Sequence, residues 1–416
     1  MSSKKQDYLW ILHKKQHDMK KSLLLAFLII LGMNGLCQKA GPWDLDELFQ
    51  TPEWELSDSA AIPGMKGILY ESILYKGKKV QVFAYYGVPE GNIPSGGWPA
   101  VVCVHGGGGT AFNEWVQKWN DHGFAAISMD LEGHYPIRKE SMGRGPRVST
   151  EYPGPSRVGI FDDYAEPLDQ QWYYHAVSQV ILAHSLLRSF PEVNSEKTGI
   201  TGISWGGILT STTMGIDNRF KFAIPVYGCG YLPGSDGVQG DGIKPGQQEE
   251  IVNKYWDGSA YFSNVTIPTL WVVGTNDKHF PLPSVQKSSQ SVNALAILRF
   301  QEGMKHGHYP GWAPEEIYSF ANSIVNEGDK LIQFDKPKIT GSQASVSITA
   351  SVGVREAELL FTKDSGVWLE RKWEKLPAKI SGASISASIP PGCTSLFFTA
   401  KDENDLMVSS AYILIK

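Results

Sequence analysis

Cysteine is scarce. The chain has four, Cys37, Cys103, Cys229 and Cys393, in 416 residues, too few and too widely spaced for a disulfide framework or a thiolate metal set. Basic charge is not in excess either, with 38 Lys and Arg against 43 Asp and Glu. Residues 1–37 hold six of the lysines, so residues 38–416 carry 32 basic and 41 acidic side chains. A net-acidic body lacks the cationic face that displaces counterions from nucleic acid, so no nucleic-acid partner is expected. The longest apolar run is LLLAFLIIL at 23–31, well short of the roughly 20 residues that span a bilayer, and no stable membrane insertion is expected. The Gly-rich stretch at 105–109 lacks the Lys-Ser/Thr of a phosphate loop. His306-Gly307-His308 has no second cluster of ligands near it in sequence, so neither a metal nor a cofactor is expected. No internal repeat or low-complexity tract is present.

What is present suits a large ordered core: 42% hydrophobic residues, with 13 Trp, 17 Tyr and 17 Phe. The 43 Gly and 24 Pro imply many tight loops, and the length allows two or three domains. Lys20 and Lys21, the short apolar run and small residues at Gly32, Gly35 and Cys37 have the layout of a secretory signal peptide. Met19 is then the start, 1–18 an upstream extension, and cleavage falls after Cys37. Lipid anchoring at Cys37 is the rival, and bulky Leu36 before it argues against that. The expected location is extracytoplasmic, in the periplasm or the medium. Cys103, inside a Val-rich strand, reads as a small buried hydrophobe.

Between about 66 and 326, apolar strand-like runs (66–75, 79–89, 99–104, 124–129, 198–203, 220–227, 269–273, 295–300) alternate with helical patterns (112–122, 171–190, 207–215, 282–292, 313–326). That rhythm predicts an α/β domain at 38–332, a mostly parallel sheet with helices on both faces and a hairpin at its start. In 171–190, Tyr174, Val177, Ile181, His184 and Leu187 recur at helical spacing and predict one buried stripe. Two long segments, 131–169 and 229–264, come directly after strands and are expected to form lids at the carboxyl edge of the sheet, where such sheets bind ligands. From 333 to 416 the pattern becomes short alternating strands (344–351, 356–362, 368–373, 383–389, 395–400, 407–415) without helices. A small immunoglobulin-like β-sandwich is expected there.

Gly202-Ile203-Ser204-Trp205-Gly206 matches G-x-S-x-G. Chance alone supplies about 0.3 such matches in a chain this long and glycine-rich, so context has to decide. A strand leads in and a small-residue helix leads out, which is the strand–turn–helix of a nucleophile elbow. The strand at 99–104 ends in His105-Gly106-Gly107-Gly108-Gly109, where Gly107 and Gly108 can present backbone N–H groups to an oxyanion with that of Trp205. His105 is expected to pack beneath this loop. Asp277 lies just past the strand 269–274 and is placed to orient an imidazole. His306 or His308, after the last strand, must then take the hydroxyl proton, because a free serine is barely nucleophilic at neutral pH. His306 is preferred for its His-Gly setting after a short strand–loop, with His308 the alternative.

These residues, in the order Ser204, Asp277, His306, resemble the α/β-hydrolase superfamily. The likeness covers about 64–328 and includes WYYHAVSQVILAHSLLRSFPEVNSEKTGITGISWGG. Within the superfamily it resembles the acetyl-xylan-esterase and dienelactone-hydrolase-like branch, related to prolyl-oligopeptidase-type catalytic domains. Acetyl xylan esterases of this look often carry Gln after the nucleophile, where this chain has Trp205, and the C-terminal sandwich lies outside the usual family core.

The resemblance implies a serine esterase working through a covalent acyl-enzyme, with a small-molecule or glycan ester as its partner. Tyr135, Trp256 and Trp312, in or near the insertions, suit a sugar ring, as do Trp172 and Tyr173, with packing an equal alternative for each. Arg138, Arg144, Arg147 and Arg157 read as a solvated loop face, with an acidic sugar as the other reading. The same-chemistry rival is a serine peptidase of prolyl-oligopeptidase type, although only about 28 residues separate the expected cleavage site from the hydrolase pattern, too few for a β-propeller. A non-catalytic carbohydrate-binding protein on a hydrolase scaffold is the rival from another class.

Overall fold

The computed structural model describes residues 41–138 and 146–415. The expected signal segment with Cys37, and Arg144, lie outside the described residues.

Outside the C-terminal region the main sheet has a short edge strand, Trp54–Leu56, antiparallel to the first of eight longer strands: β1 (Lys66–Tyr75), β2 (Lys78–Gly87), β3 (Trp98–Val104), β4 (Ala125–Met129), β5 (Val193–Ile203), β6 (Phe222–Val226), β7 (Thr269–Gly274) and β8 (Ala296–Gln301). Their spatial order is β1-β2-β4-β3-β5-β6-β7-β8. β1 and β2 form the expected antiparallel hairpin, β2 meets β4 antiparallel, and every pair from β4 to β8 is parallel. β3, β4, β6 and β7 are almost wholly buried, as near-continuous apolar runs under helices must be. Parallel pairing sends the ends of β3, β5, β7 and β8 to the same edge. Consequently His105, Ser204, Asp277 and His306 emerge together there.

The connecting helices are α1 (Asn113–Asp121), α2 (Trp172–Ser189), α3 (Trp205–Thr213), α4 (Leu282–Ser289), α5 (His308–Trp312) and α6 (Glu315–Val325). The single stripe predicted for α2 is corrected by the structure, which buries nearly its whole circumference from Trp172 to Leu187. The outer face is covered by chain from other regions. Trp43 stacks on Tyr174 with centroids 6.0 Å apart, and Ser185 donates to the Leu48 carbonyl at 2.7 Å. A helix buried all round carries no clean amphipathic period. On its inner side His184 lies between Asp217 (2.7 Å) and Thr198 (2.8 Å), stacked on Phe220 and enclosed. That trio packs the core and does not reach solvent.

The C-terminal strands are β9 (Gln343–Thr349), β10 (Val354–Thr362), β11 (Glu374–Pro377), β12 (Lys379–Ser381), β13 (Ser384–Ser388), β14 (Ser395–Asp402) and β15 (Met407–Ser409). They form two antiparallel groups. β9, β13 and β12 make one sheet with the short strands Gln333–Phe334 and Lys338–Thr340. The other group, β15-β14-β10-β11, continues the main sheet, because Ser409 of β15 pairs with Leu298 of β8. The predicted strand at 368–373 is also corrected: Trp368–Glu370 is a 3-10 turn and the strand begins at Glu374. Arg371 lies 3.8 Å over the Trp368 ring and its Nε donates to the Gly366 carbonyl at 2.9 Å, closing the chain into a turn. Among the described residues no helix is long and apolar enough to cross a membrane.

Candidate active site

β5 runs into Ser204 and α3 starts at the next residue. Ser204 has φ 60° and ψ −115°, a backbone conformation that costs about 1–3 kcal/mol for a non-glycine residue and persists only where the surroundings enforce it. Here Ser204 N–H donates to the Val226 carbonyl at 2.9 Å. The flanking glycines are required sterically: a Cβ on Gly202 would lie 2.1 Å from the Gly206 oxygen, and one on Gly206 would lie 1.9 Å from the Val104 oxygen.

His306 reaches this elbow from the loop after β8. Its Nε2 is 3.0 Å from Ser204 Oγ, and its Nδ1 is 2.7 Å from Asp277 Oδ2. Asp277 is 5% exposed, and its other oxygen accepts the N–H groups of His279 (2.8 Å) and Phe280 (3.0 Å). With one carboxylate oxygen held by its own loop, the other is left for the imidazole. A hydroxyl, an imidazole and a carboxylate in one hydrogen-bonded line can deprotonate the serine as it attacks a carbonyl.

His308 occupies a different place. Its Nε2 accepts the Gly106 N–H at 3.0 Å and its ring packs against Phe112 at 4.7 Å. Burial first, then the neighbouring His105 and His306, pushes its pKa down to about 4, so it stays neutral and able to accept. His105 is enclosed beneath the same loop, accepting Leu131 N–H at 2.9 Å and donating to the Gly106 oxygen at 2.7 Å, and burial pushes it to about 4 as well. Gly109 N–H closes a turn onto the Gly106 oxygen at 2.9 Å. That leaves Gly107 and Gly108 at the tip. Gly107 lies against the Trp205 ring, since a Cβ there would fall 2.8 Å from Trp205 Cδ1. The N–H groups of Trp205, Gly107 and Gly108 have no hydrogen-bond partner among the described residues, as donors awaiting an oxyanion should not.

Two neighbours were not legible in the sequence. His279 lies with its ring centroid 4.4 Å from that of His306, its Nδ1 3.1 Å from Gln239 Oε1, and burial followed by His306 lowers it to about 4. Tyr227 covers the other side at 4.7 Å and donates to the Lys305 carbonyl at 2.7 Å. A His two residues past an expected acid is the only signal the sequence offered for the first.

The aromatic residues expected to meet a sugar are placed elsewhere. Trp256 is fully buried, its Nε1 donating to Gln171 at 2.8 Å. Trp312 is 5% exposed and stacks on Trp115. Tyr135 turns its ring onto Phe83 at 5.3 Å. Trp172 and Tyr173 are buried in α2. Trp172, Tyr173, Trp256 and Trp312 thus lie in the core, which corrects the sugar-wall expectation for those four, while Tyr135 stays half-buried against it.

The expectation of a solvated arginine face is corrected at Arg147 and Arg157, whereas Arg138 is exposed. Arg147 pairs with Asp130 (2.6 Å) and Glu132 (2.9 Å), and also donates to the Gly109 carbonyl. Arg157 lies 5.0 Å over the Trp205 ring, with its Nε 3.6 Å from Glu132. The first insertion thus braces both the glycine loop and the elbow. Cys103, Cys229 and Cys393 are buried, and burial raises each thiol.

The profile described as the prolyl oligopeptidase family matches residues 153–309, a span containing the elbow, the acid and the histidine. An acetyl xylan esterase from Paenibacillus sp. R4 superposes with TM-score 0.52 at 18% identity, covering 67% of this chain and 92% of that one. The chain has the α/β-hydrolase fold. Acetyl xylan esterase 1 from Thermoanaerobacterium sp. JW/SL YS485 gives TM-score 0.47 at 17% identity, over 65% of this α/β-hydrolase and 91% of that chain. An uncharacterized peptidase of Bacillus subtilis strain 168 is 25% identical over 203 residues, 46% of this chain. The chain spans only 27% of that relative's length. The fold is thus shared with an esterase, and the 153–309 segment matches a peptidase family.

Proposed function

We propose that this serine hydrolase is a secreted esterase that removes an acyl group from a carbohydrate or a related small ester. The observation that carries the reading is the hydrogen-bonded line from Ser204 Oγ through His306 to Asp277. Ser204 Oγ attacks the ester carbonyl while its proton passes to His306 Nε2. Asp277 holds the imidazole in the tautomer that can accept and steadies the imidazolium. The N–H groups of Trp205 and Gly107, or Gly108, take the oxyanion. His306 returns the proton to the departing alcohol, and water repeats the sequence on the acyl-serine. Secretion rests on the N-terminal layout alone. With the expected aromatic wall packed into the core, the carbohydrate part rests on the resemblance to the acetyl-xylan-esterase branch.

A serine peptidase is the second reading, favoured by the prolyl oligopeptidase match over 153–309. The test is hydrolysis of 4-nitrophenyl acetate and butyrate, and of peptide 4-nitroanilides, by the wild-type chain and Ser204→Ala. Ester cleavage that disappears in the variant, with acetate preferred, supports the esterase. Anilide cleavage with little ester turnover overturns it in favour of the peptidase. If both proteins match buffer on every substrate, the serine-hydrolase mechanism fails.

A further inference from the structure

Asn276 stands immediately before Asp277, and its side-chain amide is committed to the C-terminal strands. Nδ2 points at three carbonyls of one turn, those of Arg371 at 2.7 Å, Leu369 at 2.9 Å and Trp368 at 3.4 Å. An amide has two protons, so the two shorter contacts are the hydrogen bonds. Oδ1 accepts from Thr275 Oγ1 at 2.8 Å. The receiving turn is stiff. Trp368 is packed against Trp373 and Tyr412, Arg371 lies over its ring, and Asp364 accepts the Lys372 N–H at 2.7 Å.

The same turn touches the histidine by a second route. Trp368 N–H points at Asp236 Oδ2 at 3.4 Å, in the second insertion. Two residues on, Val238 N–H donates to the Lys278 carbonyl at 3.0 Å, and Gln239 meets His279, whose ring lies against His306. Both routes end on the imidazole, one through the acid and one through the stacked histidine.

The hydrogen bonds that Asp277 receives from His279 and Phe280 fix its carboxylate relative to its own loop. They do not fix that loop relative to the elbow. Thr275 N–H to the Gln301 carbonyl and Val238 N–H to the Lys278 carbonyl, both 3.0 Å, tie the loop down on either side of the acid. Asn276 adds an anchor at the residue directly before Asp277, and that anchor point belongs to the C-terminal strands. We propose that the turn at 366–371 is a clamp on the acid loop, with Asn276 as the positioning residue. The C-terminal strands would then be part of the hydrolase's working geometry and not a detachable binding module. The inference rests on the triad reading of the active site.

The test uses the full chain with Asn276→Ala, Asn276→Asp and, from the other side of the contact, Trp368→Ala. Active sites are counted by covalent labelling of Ser204 with a fluorophosphonate, so that a poorly folded fraction drops out of the rate. With 4-nitrophenyl acetate, or a peptide anilide if only those are cleaved, kcat per labelled site is expected to fall about 10- to 100-fold while KM stays within about threefold, the signature of misplaced catalytic groups. Unchanged kcat per labelled site in all three variants overturns the clamp and leaves a docking contact. A rise in KM at constant kcat also overturns it, because the turn would then be a substrate wall. A wild-type chain that neither labels nor cleaves any of these substrates overturns the triad reading and the clamp with it, which separates the two failures.

Discussion

His308 Nε2 accepts the backbone N–H of Gly106 at 3.0 Å, which takes His308 away from Ser204 and gives it to the glycine loop. Two histidines separated by one residue thus do different work: His306 faces the hydroxyl and His308 holds the loop that presents Gly107 and Gly108. His306→Ala is expected to remove about 10⁴-fold or more of kcat on 4-nitrophenyl acetate. His308→Ala, which loosens the loop without removing the base, should lose about 10- to 100-fold. Equal losses in the two variants would contradict this division of roles.

Asp277 accepts from the imidazole and from two backbone N–H groups. In Asp277→Asn the amide can still occupy the site, but its Nδ2 can turn toward His306 and favour the wrong tautomer. A loss of about 10⁴-fold in kcat with the fold retained is expected. Steady-state kinetics beside a circular dichroism spectrum checks both halves.

Gly206→Ala would place a methyl group 1.9 Å from the Val104 carbonyl oxygen, where the first turn of α3 packs on the end of β3. Destabilisation of about 3 kcal/mol or more is expected, at the upper end of overpacking costs. The urea midpoint measures it.

His105 is enclosed and its pKa is lowered from 6.5 to about 4 by burial. Between those values the unfolded chain binds the proton and the folded one does not, so stability rises with pH through that window and is lost as pH falls through it. His105 alone accounts for on the order of 3 kcal/mol by pH 4. The melting temperature is expected to drop steadily from pH 6.5 to 4, and a flat profile there would contradict a neutral, buried imidazole.

The strand–turn–helix around Ser204 and the glycine loop after β3 were legible because each is local: a few adjacent residues set the turn, and their chemistry is written consecutively. The eight strands of the hydrolase were legible for the same reason, as apolar runs bounded by turn residues. The C-terminal strands were legible as strands, but not their attachment. Pairing of Ser409 with Leu298 involves edges more than a hundred residues apart, and nothing in either run names its partner. The 3-10 turn at Trp368 reads as strand in the sequence because its bulky side chains suit either, and it is closed by Glu370 N–H to the Val367 carbonyl at 3.2 Å and Arg371 N–H to the Trp368 carbonyl at 3.3 Å.

By itself the sequence determined the chemical types available at the carboxyl edge and their order along the chain: a serine at a tight turn, an acid, and two candidate bases. The tertiary structure decided which histidine meets the serine. Parallel strand order brings His306 to Ser204 across 102 positions, while the loop's path sends His308 to Gly106. It also decided that Trp256 and Trp312 are core, since burial depends on which surfaces close over a ring. And it alone put Asn276 against the turn at 366–371, because an amide's donors carry no address until the fold brings an acceptor to them.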